Sequence, residues 1–497
     1  MSDLLTRDEY GAIAENLNFP RAAFIDGKYK AGSGEKLKTV NPATGEVICE
    51  IAACNSADVD LAVQKAREAF DQGGWAKRHP SERKDVLIRL CKLITRNERE
   101  LAVMESLDSG KPITDCVTID LAETINTIKW HAEMADKEYG ETAPTGDDAI
   151  AMIVREPVGV VAAILPWNFP LLMLAWKIAP ALVAGNCVIV KPAEQTSLTA
   201  LYLAELASEA GVPRGVLQVL AGDGPAVGEP LGRHMDVDMV AFTGSTETGR
   251  LFLKYSAESN LKKVTLECGG KNPAIVLDDA EHLDHVAYHI VNAAVWNMGE
   301  NCSANSRLIV QSGVKDELMK HILIRVKELR VGDPLDPKTQ VGALIDDGHC
   351  KKVASYLKGI KPLYGGTMDG AYMTPAIVEV SAKDKLAREE IFGPVLSVIT
   401  VESLDEAIEV ANDTDYGLTA SIFTANGRTA LATAKAIKAG TVTVNCYGEG
   451  DITTPFGGYK QSGFGGRDNG RHAHDQYTEL KTIWVDLTDP ASMDALS

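Results

Sequence analysis

Residues 158–190 read VGVVAAILPWNFPLLMLAWKIAPALVAGNCVIV. The run 158–164 is short, β-branched and free of polar side chains, the composition of a strand buried on both faces. Residues 171–183 carry apolar positions at helical spacing and stop near Gly185. A second strand follows at 188–190. Strand, helix and strand in this order make a βαβ unit, whose two strands are parallel.

Reading outward, the alternation persists. A helix over 198–210 is closed by Gly211 and Pro213, strands are predicted at 216–220, 239–242 and 263–266, and a helix after Gly249. Upstream, Val59, Ala62, Val63, Ala66 and Phe70 mark a helix that starts after Asn55-Ser56 and ends at Gly73-Gly74. A second α/β run covers 270–440, with strands predicted at 273–277, 306–310 and 441–445. In parallel sheets ligands sit beyond the carboxyl ends of the strands. Asn168, Lys191, Glu194 and Ser245 fall there.

A chain of 497 residues is too long for one ordinary domain, and 45% hydrophobic with 24% charged residues is a globular balance. The net charge of −19 argues against a nucleic-acid partner, which needs clustered Lys and Arg. The nine cysteines (49, 54, 91, 116, 187, 268, 302, 350 and 446) form no Cys-x-x-Cys pair, so a reducing compartment, the cytoplasm, is expected. Asp3, Arg7, Asp8 and Glu9 stand where a signal peptide needs an apolar core, and no apolar run approaches the roughly 20 residues of a membrane span.

Two segments carry chemistry. In Thr265-Leu-Glu267-Cys-Gly269-Gly270-Lys271-Asn272-Pro273 a carboxylate ends a strand beside two glycines that allow close approach. In Asn297-Met-Gly299-Glu-Asn-Cys302-Ser303-Ala304 a thiol follows a glycine turn. A thiolate can attack a carbonyl carbon, and a carboxylate can activate the water that hydrolyses the thioester. A lone cysteine is more commonly a small buried hydrophobe, so the company it keeps decides. That company is Pro166-Trp-Asn168-Phe-Pro170, Lys191-Pro-Ala-Glu194, Phe242-Thr-Gly244-Ser245-Thr-Glu-Thr-Gly249 and Glu389-Glu390-Ile-Phe392-Gly-Pro394. In order and spacing the set resembles the aldehyde dehydrogenase superfamily over about residues 20–485.

The resemblance implies a fold of two Rossmann-like parallel-sheet lobes with a small β oligomerisation flap. The NAD-binding domain would span 1–134 and 154–268, the catalytic domain 269–468, and the flap and C-terminal arm 135–153 and 469–497. Cys302 is implied as nucleophile, Asn168 as oxyanion donor and Glu267 as the base for deacylation. Lys177 and Glu479 are either proton-relay partners or ordinary ion-pair residues. Pro166, Trp167, Lys191, Glu194, Gly244, Ser245, Gly249, Glu390 and Phe392 are implied to hold NAD. Thr246 stands where G-x-G-x-x-G has its second glycine, a departure shared with this family. Glu194 beside the ribose favours NAD over NADP by charge.

For the substrate, Phe169, Trp176 and Trp296 align with the family's tunnel lining. Asp120 and Glu123 align with an acidic pair of aminoaldehyde enzymes, and Glu449 and Asp451 lie in the loop over the entrance. Aromatic walls with carboxylates suit an ammonium or guanidinium tail, as in bacterial enzymes acting on 4-guanidinobutanal or 4-(γ-glutamylamino)butanal. Cys446 and Tyr447 replace the Trp of the plant enzymes, which leaves the tail open. A broad-specificity or betaine-type enzyme is the alternative. A CoA-acylating enzyme typically lacks the base that Glu267 matches, and a non-enzymatic relative has no use for Cys302, Glu267 and Asn168 together. His282, His285 and His289 read as a solvated helix face rather than a metal site. A homo-oligomer, dimer or tetramer, is expected, with the flap pairing with a neighbour's C-terminal strand near 482–486.

Overall fold

Five parallel strands lie side by side in the order Leu217–Val219, Cys187–Lys191, Val160–Ile164, Met239–Gly244 and Lys263–Cys268. Nearly every residue in them is buried, because helices cover both faces of a sheet built from crossovers. The computed structural model describes residues 4–448 and 450–489. Antiparallel strands close the two edges: Ala23–Ile25, backed by Lys28–Lys30, beside Leu217–Val219, and Gly463–Phe464 beside Lys263–Cys268. From Val160–Ile164 the chain first builds to one side and then, at Met239–Gly244, to the other. The crevice between these two strands is thus the topological switch point, where such sheets bind ligands.

The helix Pro170–Ala184 starts on a proline, whose missing N–H costs nothing at that position, and ends at Gly185 with φ 104°. The buried Glu105 carboxylate accepts the Leu171 N–H at 3.1 Å and holds this helix start in place. The helix expected after Gly249 starts earlier, at Thr246, because the Ser245 hydroxyl accepts the Thr248 N–H and caps it.

The second sheet has six strands, all parallel: Ala376–Glu379, Val395–Val401, Arg307–Gln311, Pro273–Val276, Thr419–Phe423 and Thr441–Val444. Alternate residues of its central strands feed two separate cores. Ala274, Val276, Leu308 and Val310 pack on one face, Ile275 and Ile309 on the other.

A third, antiparallel sheet joins Glu141–Ala143, Ala149–Pro157 and Thr478–Asp486, in register from Thr478 opposite Pro157 to Asp486 opposite Ala149. This corrects the expectation that the C-terminal strand pairs with the flap of a neighbour: it pairs with the flap of its own chain. The cause is local. The carbonyl of buried Tyr477 accepts the Val158 N–H at 3.2 Å and the Asn186 amide at 3.0 Å, which delivers Thr478 beside Pro157. Among the described residues no helix is long and apolar enough to cross a membrane.

Candidate active site

The two lobes meet with opposite polarity. Glu267 stands at the carboxyl end of Lys263–Cys268, while Cys302 precedes the amino end of Arg307–Gln311. Between them lies a cavity of about 210 Å³. One end is lined by Pro166, Trp167, Thr243, Gly244, Ser245, Glu390 and Phe392, the other by Phe169, Leu172, Met173, Trp176 and Phe456. Asn168, Glu267 and Cys302 line the same cavity.

The loop before Cys302 is forced into shape. Asn297, Met298 and Gly299 have consecutive φ values of 52°, 57° and 68°. A side chain at 299 would collide with the backbone of Gly393. Left-handed non-glycine residues cost about 1–3 kcal/mol each and persist only when their surroundings hold them. Here the Asn297 amide donates to the carbonyls of Asn168 (3.1 Å) and Glu300 (3.0 Å). The Asn272 amide donates to the carbonyls of Cys302 (2.8 Å) and Ala304 (3.1 Å), and its own oxygen accepts the Thr419 N–H. Cys302 is half-buried, whereas every other cysteine except Cys446 is buried. Asn168 donates one amide hydrogen to the Glu300 carbonyl at 2.9 Å. A primary amide has two, so a second donor remains in the cavity that Asn168 shares with Cys302.

Glu267 is buried, and its Oε2 has no hydrogen-bond partner among the described residues. Burial pushes its carboxyl well above the ordinary range. The Asp468 carboxylate adds to the rise, and Lys177, Arg467 and the Gly458 N–H oppose it. Gly457 makes room, since a Cβ there would lie 2.6 Å from Oε1. Lys177 pairs with Asp468 at 2.7 Å, both side chains 1% exposed. Of the two readings given for Glu479, the structure has the ion-pair one: its side chain is 64% exposed in the flap strand and 3.7 Å from Lys263. Every residue of that strand from Glu479 to Asp486 is exposed, so Glu479 lies outside the core. Asp468 escaped sequence reasoning because its segment, Gly465-Gly466-Arg467-Asp468-Asn469, reads as an ordinary loop.

At the other end of the cavity, Glu390 Oε1 accepts the Gly270 N–H at 2.8 Å, and any side chain at Gly269 would strike its carboxylate. Burial lifts Glu390 to about 7. Phe392, with φ 60°, sets its ring edge-on to Trp167 at 5.2 Å. His349 lies 5.3 Å from the Trp167 ring and 2.6 Å from the Phe392 carbonyl, and it lines the cavity with Lys352. These two were not anticipated; a helix start, 347–357, facing the motif around Phe392 was the available signal. Lys191 is buried and bonded to the Pro192 carbonyl and to Glu194, whose carboxylate is 43% exposed. Gly249 does not line the cavity. A Cβ there would press on Cys268 Sγ at 3.2 Å and Leu266 at 3.3 Å, so it lets the helix pack close to the strand.

On the substrate side, Phe169, Leu172, Met173, Trp176, Leu418 and Phe456 form one apolar cluster, against which Trp296 and Cys302 pack. Phe169 and Trp296 rings are 5.3 Å apart, Trp176 and Phe456 5.2 Å. The acids do not gather as expected. Asp120 is fully buried and held by both oxygens on Lys111 Nζ, each at 3.0 Å. Lys111 in turn lies 4.2 Å over the Phe169 ring. The Asp120 charge is thus already matched from within the fold. Glu123 is exposed and accepts the Asn126 amide, and exposed Asp451 accepts the Thr453 N–H in its own turn. Glu449 lies outside the described residues.

A half-buried thiol, an amide donor and a buried carboxyl on one cavity define a covalent acyl-transfer site next to a dinucleotide crevice. The chain belongs to the aldehyde dehydrogenase family, whose model matches residues 29–483. It is 59% identical to the aminoacetaldehyde dehydrogenase of Pseudomonas aeruginosa, over 98% of this chain and 100% of that one. Among solved structures it is similar to the γ-glutamyl-γ-aminobutyraldehyde dehydrogenase of Burkholderia cenocepacia, with TM-score 0.96 and 45% identity over 97% of this chain and 100% of that one. It is equally similar in fold to a mutant of the P. syringae indole-3-acetaldehyde dehydrogenase AldA in complex with NAD+ and IAA, with TM-score 0.96 and 46% identity at the same coverage.

Proposed function

We propose that this enzyme oxidises an aldehyde with an amino or guanidino tail to the carboxylic acid, with NAD as hydride acceptor. The observation that carries the reading is the single cavity that runs from the switch-point crevice past Cys302 into an aromatic pocket. The Cys302 thiolate adds to the aldehyde carbon, and the oxygen takes the negative charge, stabilised by the Asn168 amide and the Cys302 N–H. Loss of hydride from that carbon leaves a thioester on Cys302. Glu267 takes a proton from water as it attacks the thioester, and the thiolate departs with the bonding pair. Lys177 and Asp468, behind Glu267, set its proton affinity.

The residues present fit the dinucleotide. The Thr246–Ala257 helix offers its N-terminal N–H groups, and Gly244, Ser245, Glu390 and Phe392 line the same cavity. Bound there, NAD supplies the hydride acceptor. Glu194 is open to ribose hydroxyls, and its charge disfavours a 2′-phosphate.

The similarity to an aminoacetaldehyde dehydrogenase and to a γ-glutamyl-γ-aminobutyraldehyde dehydrogenase supports a nitrogen-bearing tail, and polyamine or arginine breakdown as its source. The rings of Trp296 and Trp176 would hold a cationic tail by their faces, each contact contributing about 0.5–2 kcal/mol. Glu123 and Asp451 remain the open acids of the sequence-based set, Asp120 being neutralised by Lys111. The NAD-binding, catalytic and flap divisions are retained, with Gly463–Phe464 returned to the first sheet. Free cysteines throughout accord with the cytoplasm, and the apolar exposed C-terminal strand with a homo-oligomer.

A kcat/KM panel over aldehydes with cationic, neutral and anionic tails of one length tests the substrate reading. Cationic aldehydes should lead by tenfold or more, and Trp296→Ala should erase most of that lead. Equal values across the panel would instead favour a broad-specificity enzyme.

A further inference from the structure

We infer that Tyr447 is a positioning residue for the nucleophile, clamping both chain neighbours of Cys302 through its hydroxyl; this rests on the proposed role of Cys302. Three side chains close a cycle. The Asn301 amide donates to the Tyr447 hydroxyl at 2.8 Å, and the Tyr447 hydroxyl lies 3.1 Å from Ser303 Oγ. Ser303 Oγ and the Ser303 N–H both reach Asn301 Oδ1 at 3.0 Å. The Asn301 amide donates to Tyr447, the Ser303 hydroxyl donates to Asn301 Oδ1, and either hydroxyl can be the donor between Tyr447 and Ser303. Linked hydrogen bonds of this kind strengthen one another. The residue it brackets is Cys302.

The far end of the lever is fixed. Tyr447 follows the edge strand Thr441–Val444, and three successive residues are anchored. The Asn445 side chain bonds the Thr424 N–H at 3.0 Å and the Thr424 carbonyl at 3.1 Å. Thr443 Oγ1 donates to the Cys446 carbonyl at 2.8 Å, and the Tyr447 N–H donates to His289 Nδ1 at 3.2 Å. Tyr447 thus ties the root of the entrance loop to the nucleophile. Since the clamp sets the direction of the Cys302 thiol and of its N–H, it acts on the addition step rather than on binding.

Tyr447→Phe keeps the ring and removes the clamp. In pre-steady-state assays with saturating NAD the NADH burst rate should fall about 100-fold, the lower end of the range found when an oxyanion donor is removed. KM for the aldehyde and NAD affinity should stay within about twofold. Iodoacetamide alkylation of Cys302 should show a changed rate and pH profile, which a purely structural tyrosine would not produce. Ser303→Ala opens the same cycle, so the double variant should be no slower than the slower single one. Parent-like burst rates in both single variants, or losses that multiply in the double variant, would overturn the clamp. A parent enzyme that forms no NADH with any aldehyde would instead overturn the proposed function.

Discussion

Glu267 sits between charges of opposite sign, and that makes its role testable by pH alone. Its carboxyl lies above the ordinary range, so the base form, and deacylation with it, is gained only as pH rises through the raised value. Asp468 pushes the value up and Lys177 pulls it down. Asp468→Asn should therefore move the acidic limb of a deacylation-limited kcat profile to lower pH, and Lys177→Gln should move it higher. Each shift should be roughly one pH unit or more, as for charges within a few ångströms. Limbs that stay put, or move together, would detach this pair from the base. The sequence singles out Glu267, Cys302 and Asn168 through the family resemblance of their motifs, and the structure brings all three to one cavity. It does not identify Asp468 beside Lys177, a contact made only when the chain returns after nearly 300 residues. Nor does it show that Lys111 neutralises Asp120; acids are visible in a sequence, and their partners are not.

Parallel strands buried on both faces are the most legible elements, and 160–164, 187–191 and 239–244 fall within a few residues of their predicted positions. Ala376–Glu379, Val395–Val401 and Thr419–Phe423 were not predicted, although the helices Leu404–Asn412 and Gly427–Ala436 continue the βαβ alternation through them to Thr441–Val444. The C-terminal strand was recognised by its alternation, but alternation cannot say which chain it pairs with. Having paired within its own chain, Thr478–Asp486 still leaves one edge open, with Leu480 and Trp484 each 64% exposed. We propose this open edge as an assembly surface, because unpaired strand edges with exposed apolar side chains invite pairing. Trp484→Glu should put repeated charges into a symmetric interface and release smaller species in sedimentation velocity at micromolar protein. An unchanged sedimentation coefficient would place the subunit contact elsewhere.

Across the whole molecule, function follows from setting the carboxyl end of one parallel sheet against the amino end of another. The first contributes a dinucleotide crevice and Glu267, the second the Cys302 loop, and a helix start, Pro170–Ala184, contributes Asn168 and half the aromatic wall. In the proposed function, aldehyde and dinucleotide share a single cavity with the Cys302 thiol, and the Glu267 carboxyl that lines it activates water. The most direct test of this account is a single-turnover experiment on Glu267→Gln. With NAD and a cationic aldehyde it should release about one NADH per active site in a fast burst, then turn over at least about 100-fold more slowly. Mass spectrometry of the stalled enzyme should show the acyl group on Cys302. A variant whose burst is lost along with its steady state, with no acyl group on Cys302, would contradict the assignment of Glu267 to deacylation.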